Sequence, residues 1–314
     1  MDVAVPTRPL LAPWYRVVAD GERLLLEFAQ RVVVLEGAAV RALLPTLLPL
    51  LDGTHTLEEL TARVGSVAGA AVDRALQMLA DHGLLTEGPD APPESRRAAH
   101  AVAAAFGLAP TEAATRLGSA VVSVVGSAPT GLEVARLLHA EGIGSVMQDA
   151  WVGSVAADLV VVTPAPNEVD ALLAWNRHAL DVSLRWLPVL PFDGRFSAVG
   201  PLVVPDESCC YECLLLRRAA NLEYGEDLPE IEATPVATDG GPALERLAAA
   251  VAAHLVVRWV IGRDTAIAGV LHAVETMPGP AITGHTVLRV PRCPGCSPAE
   301  RRPSPLPWHA AKAA

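Results

Sequence analysis

The hydrophobic pattern changes period along the chain, and each change marks a different unit. In "WYRVVADGERLLLEFAQRVVVLEG" apolar residues cluster in three β-rich runs, at about 14–18, 23–29 and 31–35. Asp20-Gly21 supplies a hairpin turn between the first two, and Gln30 stands at the second reversal. "AAVRALLPTLLPLLDG" then reads as an apolar helix interrupted by Pro45 and Pro49 and ended by Asp52-Gly53. "THTLEELTARVG" opens with Thr56 and, three residues on, Glu59, the signature of a capping box. In "AAVDRALQMLADHGLL", Val72, Ala75, Leu76 and Leu79 share one stripe and Gly83 is the stop. Three strands followed by three helices predict a winged helix-turn-helix over residues 1–88.

"TEGPDAPPES", Thr86 to Ser95, is rich in proline and charge and reads as a linker. With the helical "RRAAHAVAAAFGL" and "TEAATRLGS" it makes a connection over 89–117. From 118 onward the fold is predicted to be α/β. "AVVSVVGS" is a continuous apolar run of the kind that forms a buried parallel strand, and it leads through Gly126 into the helix "GLEVARLLHAEG". "GSVMQD" and "ADLVVVTP" are further strands, followed by a helix around "EVDALLAWNRHAL" and a strand at "RWLPVLPF". Strands are also expected at "PLVVP", "LHAVETM" and "HTVLRVP", with a long helix in "GPALERLAAAVAAHLVVRWVIG". The pattern is Rossmann-like.

Composition narrows the function classes. The 314 residues are 51% hydrophobic, yet no run approaches the roughly 18 apolar residues of a membrane span. The first residues lack a secretory pattern, so a soluble cytoplasmic protein without a membrane partner is expected. A net charge of −11 with no basic patch counts against nucleic acid as the partner.

Four of the five cysteines form two C-x-x-C pairs, Cys210/Cys213 in "CCYECLLLRR" and Cys293/Cys296 in "PRCPGCSP". Two such knuckles supply the four soft ligands of a structural Zn²⁺ site, with no position left open for chemistry. Buried reduced thiols are the plain alternative. A redox pair is disfavoured because neither motif opens a helix after the first strand of a thioredoxin-like unit. Cys209 is a small core residue or, with a shifted register, a substitute for Cys210.

The turn Gly126-Ser127-Ala128-Pro129-Thr130-Gly131 keeps the outer glycines of a dinucleotide fingerprint, but its middle position is Ala128 and Pro129 has no N–H to offer a phosphate. Asp149 stands where a ribose-binding acid would be, whereas Thr163-Pro164 stands where a magnesium ligand would be expected. This degenerate turn, Gly126 to Gly131, argues against ATP as a cofactor.

Taken together, these motifs resemble the leader-peptide-binding partner, ocin-ThiF-like, of YcaO-type cyclodehydratases. The strand-rich module with "DGTHTLEEL" and "ALQMLADHGLL" looks like the peptide-recognition element of ribosomal peptide biosynthesis. "GPLVVPDESCCYECLLLRR" and "RCPGC" look like the zinc knuckles of the ubiquitin-activating, ThiF-like fold. The resemblance implies a non-catalytic scaffold over nearly the whole chain. It would bind a precursor's leader as an added strand and present the core to a separate ATP-dependent YcaO subunit that forms thiazoline and oxazoline rings. The implied leader contacts are Arg31, Val32, Val33 and Val34 on the strand "RVVVLEG", and Arg74, Gln77 and Met78 on the third helix. Homodimerisation is frequent in the adenylating fold and is left open by the sequence. The tail "RRPSPLPWHAAKAA", with Trp308, is either a docking segment or a plain terminus. Two other classes compete: an adenylating enzyme acting on a peptide carboxylate, and a winged-helix DNA-binding regulator. Against the last, 70–83 offers Arg74 as its only fixed cation, beside Asp73 and Asp81.

Overall fold

The computed structural model describes residues 4–20, 23–65, 68–90, 96–149, 151, 156–168, 171–228, 231, 234 and 240–297. The chain divides into two compact units, Met1–Gly118 and Ser119–Ala314. Gly21 of the first expected turn, part of the proline-rich linker, and the tail with Trp308 lie outside the described residues.

In the first unit, β1 (Pro9–Leu11) precedes an antiparallel sheet of β2 (Arg16–Asp20), β3 (Arg23–Phe28) and β4 (Arg31–Glu36), in that order. Its register pairs Val17 with Leu26 and Leu26 with Val33 on one face, and Val18 with Leu25 and Leu25 with Val34 on the other. The first row faces the core, where Leu26 and Val33 are buried; the second leaves Val18 and Val34 exposed. Helix α1 (Ala38–Leu47) carries Pro45 within it and passes into a 3₁₀ turn at Leu48–Leu50. Helix α2 (Leu57–Val64) starts with the expected capping box, Glu59 N donating to Thr56 Oγ1 and Thr56 N to the Glu59 carboxylate. Helix α3 (Gly69–Asp81) buries Val72, Leu76 and Leu79 against Leu44, Leu47, Leu60 and the inner face of the sheet. Gly83 follows at φ +68, a left-handed conformation that glycine adopts at little cost. A short ladder between β1 and β5 (Leu85–Glu87) was not foreseen, because three-residue strands carry no readable period. Two more helices complete the unit, α4 (Arg96–Phe106) and α5 (Pro110–Ser119).

The second unit is built on β6 (Val121–Val125), α6 (Pro129–Ala140), β7 (Ser145–Asp149), β8 (Leu159–Val162), α7 (Ala171–Asp181), β9 (Trp186–Leu190), β10 (Ser197–Val199), α8 (Tyr211–Ala220), α9 (Gly241–Gly262), β11 (Val270–Glu275) and β12 (Ala281–Thr286). The seven strands lie in the order β12-β11-β10-β9-β8-β6-β7, parallel from β9 to β7 and antiparallel elsewhere. This is a Rossmann-like mixed sheet. β6 and β8 are almost wholly buried, which explains why they read as unbroken apolar runs. The long helix α9 buries eleven residues, among them Ala248, Ala252, Val256 and Val260. No described helix is long and apolar enough to cross a membrane.

Two expected strands move. "PLVVP" forms only isolated bridges, Leu202 to Ala268 and Val203 to Trp186; the ladder strand is β10, upstream. Gly200 at φ +95 and Pro201, which has no N–H for a ladder, end β10 before that segment. "HTVLRVP" leaves the ladder at Thr286, so β12 lies earlier than expected. Beyond it, the carbonyls of Leu288 and Arg289 accept hydrogen bonds from the Arg217 guanidinium of α8 instead of from a strand.

Candidate functional site

The four C-x-x-C sulfurs converge. Cys210 and Cys213 come from the start of α8, Cys293 and Cys296 from the turn after β12, and all four Sγ atoms lie within 4.8 Å of one another. The closest approaches are 3.6 Å for Cys210–Cys293, 3.5 Å for Cys213–Cys296 and 3.8 Å for Cys210–Cys213. A tetrahedral zinc thiolate with Zn–S near 2.3 Å needs sulfurs about 3.8 Å apart, whereas a disulfide needs about 2.05 Å. The donor set and its spacing therefore fit a metal ion such as zinc. Among the described residues no other group of three or more His, Cys, Asp or Glu side chains converges in this way. Cys209 is buried beside the cluster, and burial pushes its thiol up to about 12, as expected for a core residue. A shared hydrogen bond holds Cys213 below and Cys210 above the ordinary thiol range, and Val290 N donates to Cys213 Sγ at 3.3 Å.

Arginines hold the second knuckle in place. Arg217 reaches the carbonyls of Leu288 and Arg289, while Arg289 donates to the carbonyls of Asp206 and Cys296. Sequence reasoning missed these residues. It also missed Asn176 of α7, which accepts from Tyr211 N at 2.9 Å, and the buried Glu212, although that acid stands inside the first motif, "CYEC".

The glycine turn between β6 and α6 is closed. A Cβ on Gly126 (φ +116) would lie 2.2 Å from the Thr163 carbonyl oxygen, and one on Gly131 would lie 2.6 Å from Thr163 Oγ1. Both glycines are thus required by the close approach of the loop after β8. Three amides of the turn are already bonded within the protein: Ala128 N donates to Thr163 O, Gly131 N to Ala128 O, and Ser127 N to Glu168 Oε2. Glu168 accepts a second bond from Ala165 N at 2.9 Å. Burial acts to raise the pKa of Glu168, but these bonds outweigh it and hold the acid below the usual carboxylate range. A carboxylate therefore sits against the amide-lined turn that a phosphate would need. The cavity beside the turn measures about 70 Å³ and is walled by Ala128, Pro129, Pro164, Pro166, Pro191 and Phe192. Asp149 accepts from Ser123 Oγ at 2.9 Å. A larger apolar cavity, about 420 Å³, is lined by Leu190, Phe196, Tyr211, Leu214, Leu228 and Leu271 among others.

In the first unit, β4 is an edge strand, hydrogen-bonded among the described strands to β3 alone. Val32 and Val34 project outward at 54% and 46% exposure, while Val33 points into the core. Arg31 donates to the carbonyl of His82, just beyond the C-terminus of α3, and so ties strand to helix. On α3, Arg74 is exposed, Gln77 donates to Asp81 Oδ1, and Met78 is half-buried against the core.

No protein-family model matches the chain, and no curated protein is similar to it. Solved structures are similar. The heterocyclase TruD shares 25% identity over 93% of this chain and 43% of its own, with a TM-score of 0.73. A heterocyclase in complex with substrate and cofactor shares 24% identity over 92% of this chain and 39% of its own, TM-score 0.72. The microcin C7 biosynthetic enzyme MccB, in complex with N-formylated MccA, shares 14% identity over 92% of this chain and 99% of its own, TM-score 0.62. The chain thus spans about two fifths of the length of the two heterocyclases. The likeness supports an α/β unit of the Rossmann-like ThiF kind, with a cysteine cluster able to hold a metal ion.

Proposed function

We propose that this chain binds the leader of a ribosomally made precursor peptide and presents it to a YcaO-type cyclodehydratase, without itself activating the peptide with ATP. The observation that carries the reading is the glycine turn. Three of its amides are spent on Thr163, Ala128 and Glu168, Pro129 has no N–H to offer, and the Glu168 carboxylate takes the space a phosphate would fill. An adenylating enzyme needs that space, whereas a scaffold needs only the shape of the fold. The similarity to two heterocyclases, one of them in complex with substrate and cofactor, supports a place in heterocycle formation. The similarity to MccB in complex with N-formylated MccA supports a peptide ligand in particular.

The first unit is the peptide-recognition element in this reading, a winged-helix arrangement of β2–β4 and α1–α3. The leader adds to the free edge of β4, taking affinity from main-chain bonds at Arg31 to Val34 and selectivity from Val32, Val34, Arg74, Gln77 and Met78. Val33 contributes its backbone alone. Zinc fills the Cys210, Cys213, Cys293 and Cys296 site and is structural: with four thiolates, no position is open to substrate. In this account the residues of this chain hold and orient the peptide, and the ring-forming chemistry resides in the YcaO partner.

The end-to-end match to MccB, an enzyme, favours the competing reading of an adenylating enzyme. Combining precursor, this protein and the YcaO partner with ATP separates the two. The scaffold reading expects loss of one water per ring by mass spectrometry only with both proteins, and no leader-dependent pyrophosphate release by this chain alone. Pyrophosphate release by this chain alone would sink it.

A further inference from the structure

We propose that Asn176, on α7, is the positioning residue of the metal centre, its carboxamide joining the two cysteine knuckles from a helix that carries neither. The inference rests on the metal reading of the cysteine cluster. Helix α8 begins immediately after Cys210, and that N-cap residue makes no side-chain capping bond. The first amides of a helix need an acceptor from elsewhere. For Tyr211 N it is Asn176 Oδ1, at 2.9 Å. Cys210 and Cys213 flank this first turn, so the direction in which they present their sulfurs is set by an amide from outside their own segment.

The other end of the carboxamide points at the second knuckle. Asn176 is fully buried, and its Nδ2 finds no hydrogen-bond partner among the described residues. A Cβ on Gly295, between Pro294 and Cys296, would lie 3.3 Å from that Nδ2 and 3.0 Å from the Glu212 carboxylate. A methyl at Gly295 would press on both side chains, so Asn176 and Glu212 together form the wall against which the Cys293–Cys296 turn rests. Glu212 is itself buried between two cysteine ligands, with Arg177 Nε donating to it at 3.2 Å. Four thiolates around a divalent cation carry a net charge of −2. A buried N–H donor aimed at the knuckle favours that charge, and a buried carboxylate opposes it unless paired. Asn176 supplies the donor, and Arg177 pairs the carboxylate.

The test uses the full-length protein loaded with Zn²⁺, and again with Co²⁺. Zinc content of the wild type reads the metal assignment by itself; release to an excess chelator and the Co²⁺–thiolate absorption read the role of Asn176. Asn176→Asp keeps the acceptor for Tyr211 and loses the donor, Asn176→Ala loses both, and Gly295→Ala pushes the turn off the wall. Substitutions beside metal ligands typically cost about 10–100-fold in affinity. Release at least about tenfold faster in each variant is expected on that scale, with a shifted Co²⁺ spectrum in Asn176→Asp and Asn176→Ala. If Asn176→Ala does not fold, Asn176→Asp and Gly295→Ala carry the test. Variants that fold, hold metal as long as the wild type and leave the cobalt spectrum unchanged would make Asn176 a core filler and overturn the inference. A wild type that takes up no stoichiometric metal removes the metal assignment and the inference with it.

Discussion

Removing the metal is expected to loosen the second unit by an amount that its topology sets. The cluster ties α8 to the turn after β12, and Cys213 and Cys296 are 83 positions apart in sequence. Cross-linking a loop of that length removes about 4.5 kcal/mol of unfolded-chain freedom at 25 °C on the loop-closure scale. In a unit of this size, each kcal/mol moves the melting point by about 2–4 °C, so the expected loss is about 10–20 °C. Coordination adds to this figure, because the ligands are buried and Val287 and Cys293 are packed into the same core. The assay is thermal unfolding by circular dichroism under reducing conditions. It compares wild type as loaded, wild type after chelation, Cys293→Ser, and chelated protein given back zinc. Chelation and substitution should produce the same downshift, reversed by zinc only in the wild type. A chelated protein that melts within about 2 °C of the loaded one would refute the clamp, since the cross-link would then contribute less than about 1 kcal/mol.

Two further substitutions test local readings. Asp52 accepts bonds from Thr54 and His55; burial acts to raise its pKa, but those bonds outweigh it and bring it down to about 2. A depressed folded pKa contributes stability that is complete above the ordinary carboxylate range and lost as pH falls through about 2. With the side chain about half exposed, Asp52→Asn should cost about 1 kcal/mol at pH 7 and only a small fraction of that near pH 2, read by urea titration at both; an equal cost at both would contradict the assignment. Gly126→Ala, which sets a methyl against the Thr163 carbonyl at positive φ, should cost about 3 kcal/mol or prevent folding, read by thermal unfolding; a wild-type melting point would mean that the turn is not closed as described.

What the sequence disclosed and what it hid follow from how far each signal reaches along the chain. The capping box at Thr56 and Glu59, the stripe Val72, Leu76 and Leu79, and the apolar runs of β6 and β8 are local patterns, and the structure forms them where they were read. The cysteine spacing carried across a long separation because a metal site demands particular residue types at fixed intervals, and the four sulfurs do meet. Val33 was grouped with its neighbours, but the two-residue period of a strand sends it to the core and leaves Val32 and Val34 outside. Glu168 and Asn176 had no legible signal: each is a lone polar residue whose role depends on loops brought together only by the sheet. β12 was placed late because "HTVLRVP" alternates like a strand, while Arg217, which takes the carbonyls of Leu288 and Arg289, lies far away in sequence.

The central claim, that β4 captures a leader peptide without help from ATP, is tested most directly by fluorescence anisotropy. The probe is a fluorescein-labelled leader from a candidate precursor, any short peptide found encoded near the gene, titrated with the full-length protein. Val32→Asp and Val34→Asp place a charge on an edge that is exposed in the free protein, so each should cost the fold no more than about 1 kcal/mol, the larger cost at Val32, which faces Glu27 across the ladder. The same charge would be desolvated under an added strand, and binding should weaken at least about tenfold, or 1.4 kcal/mol. The account predicts saturable binding that is unchanged by ATP and lost in step with these substitutions. Binding that requires ATP, or that ignores both substitutions, would contradict it.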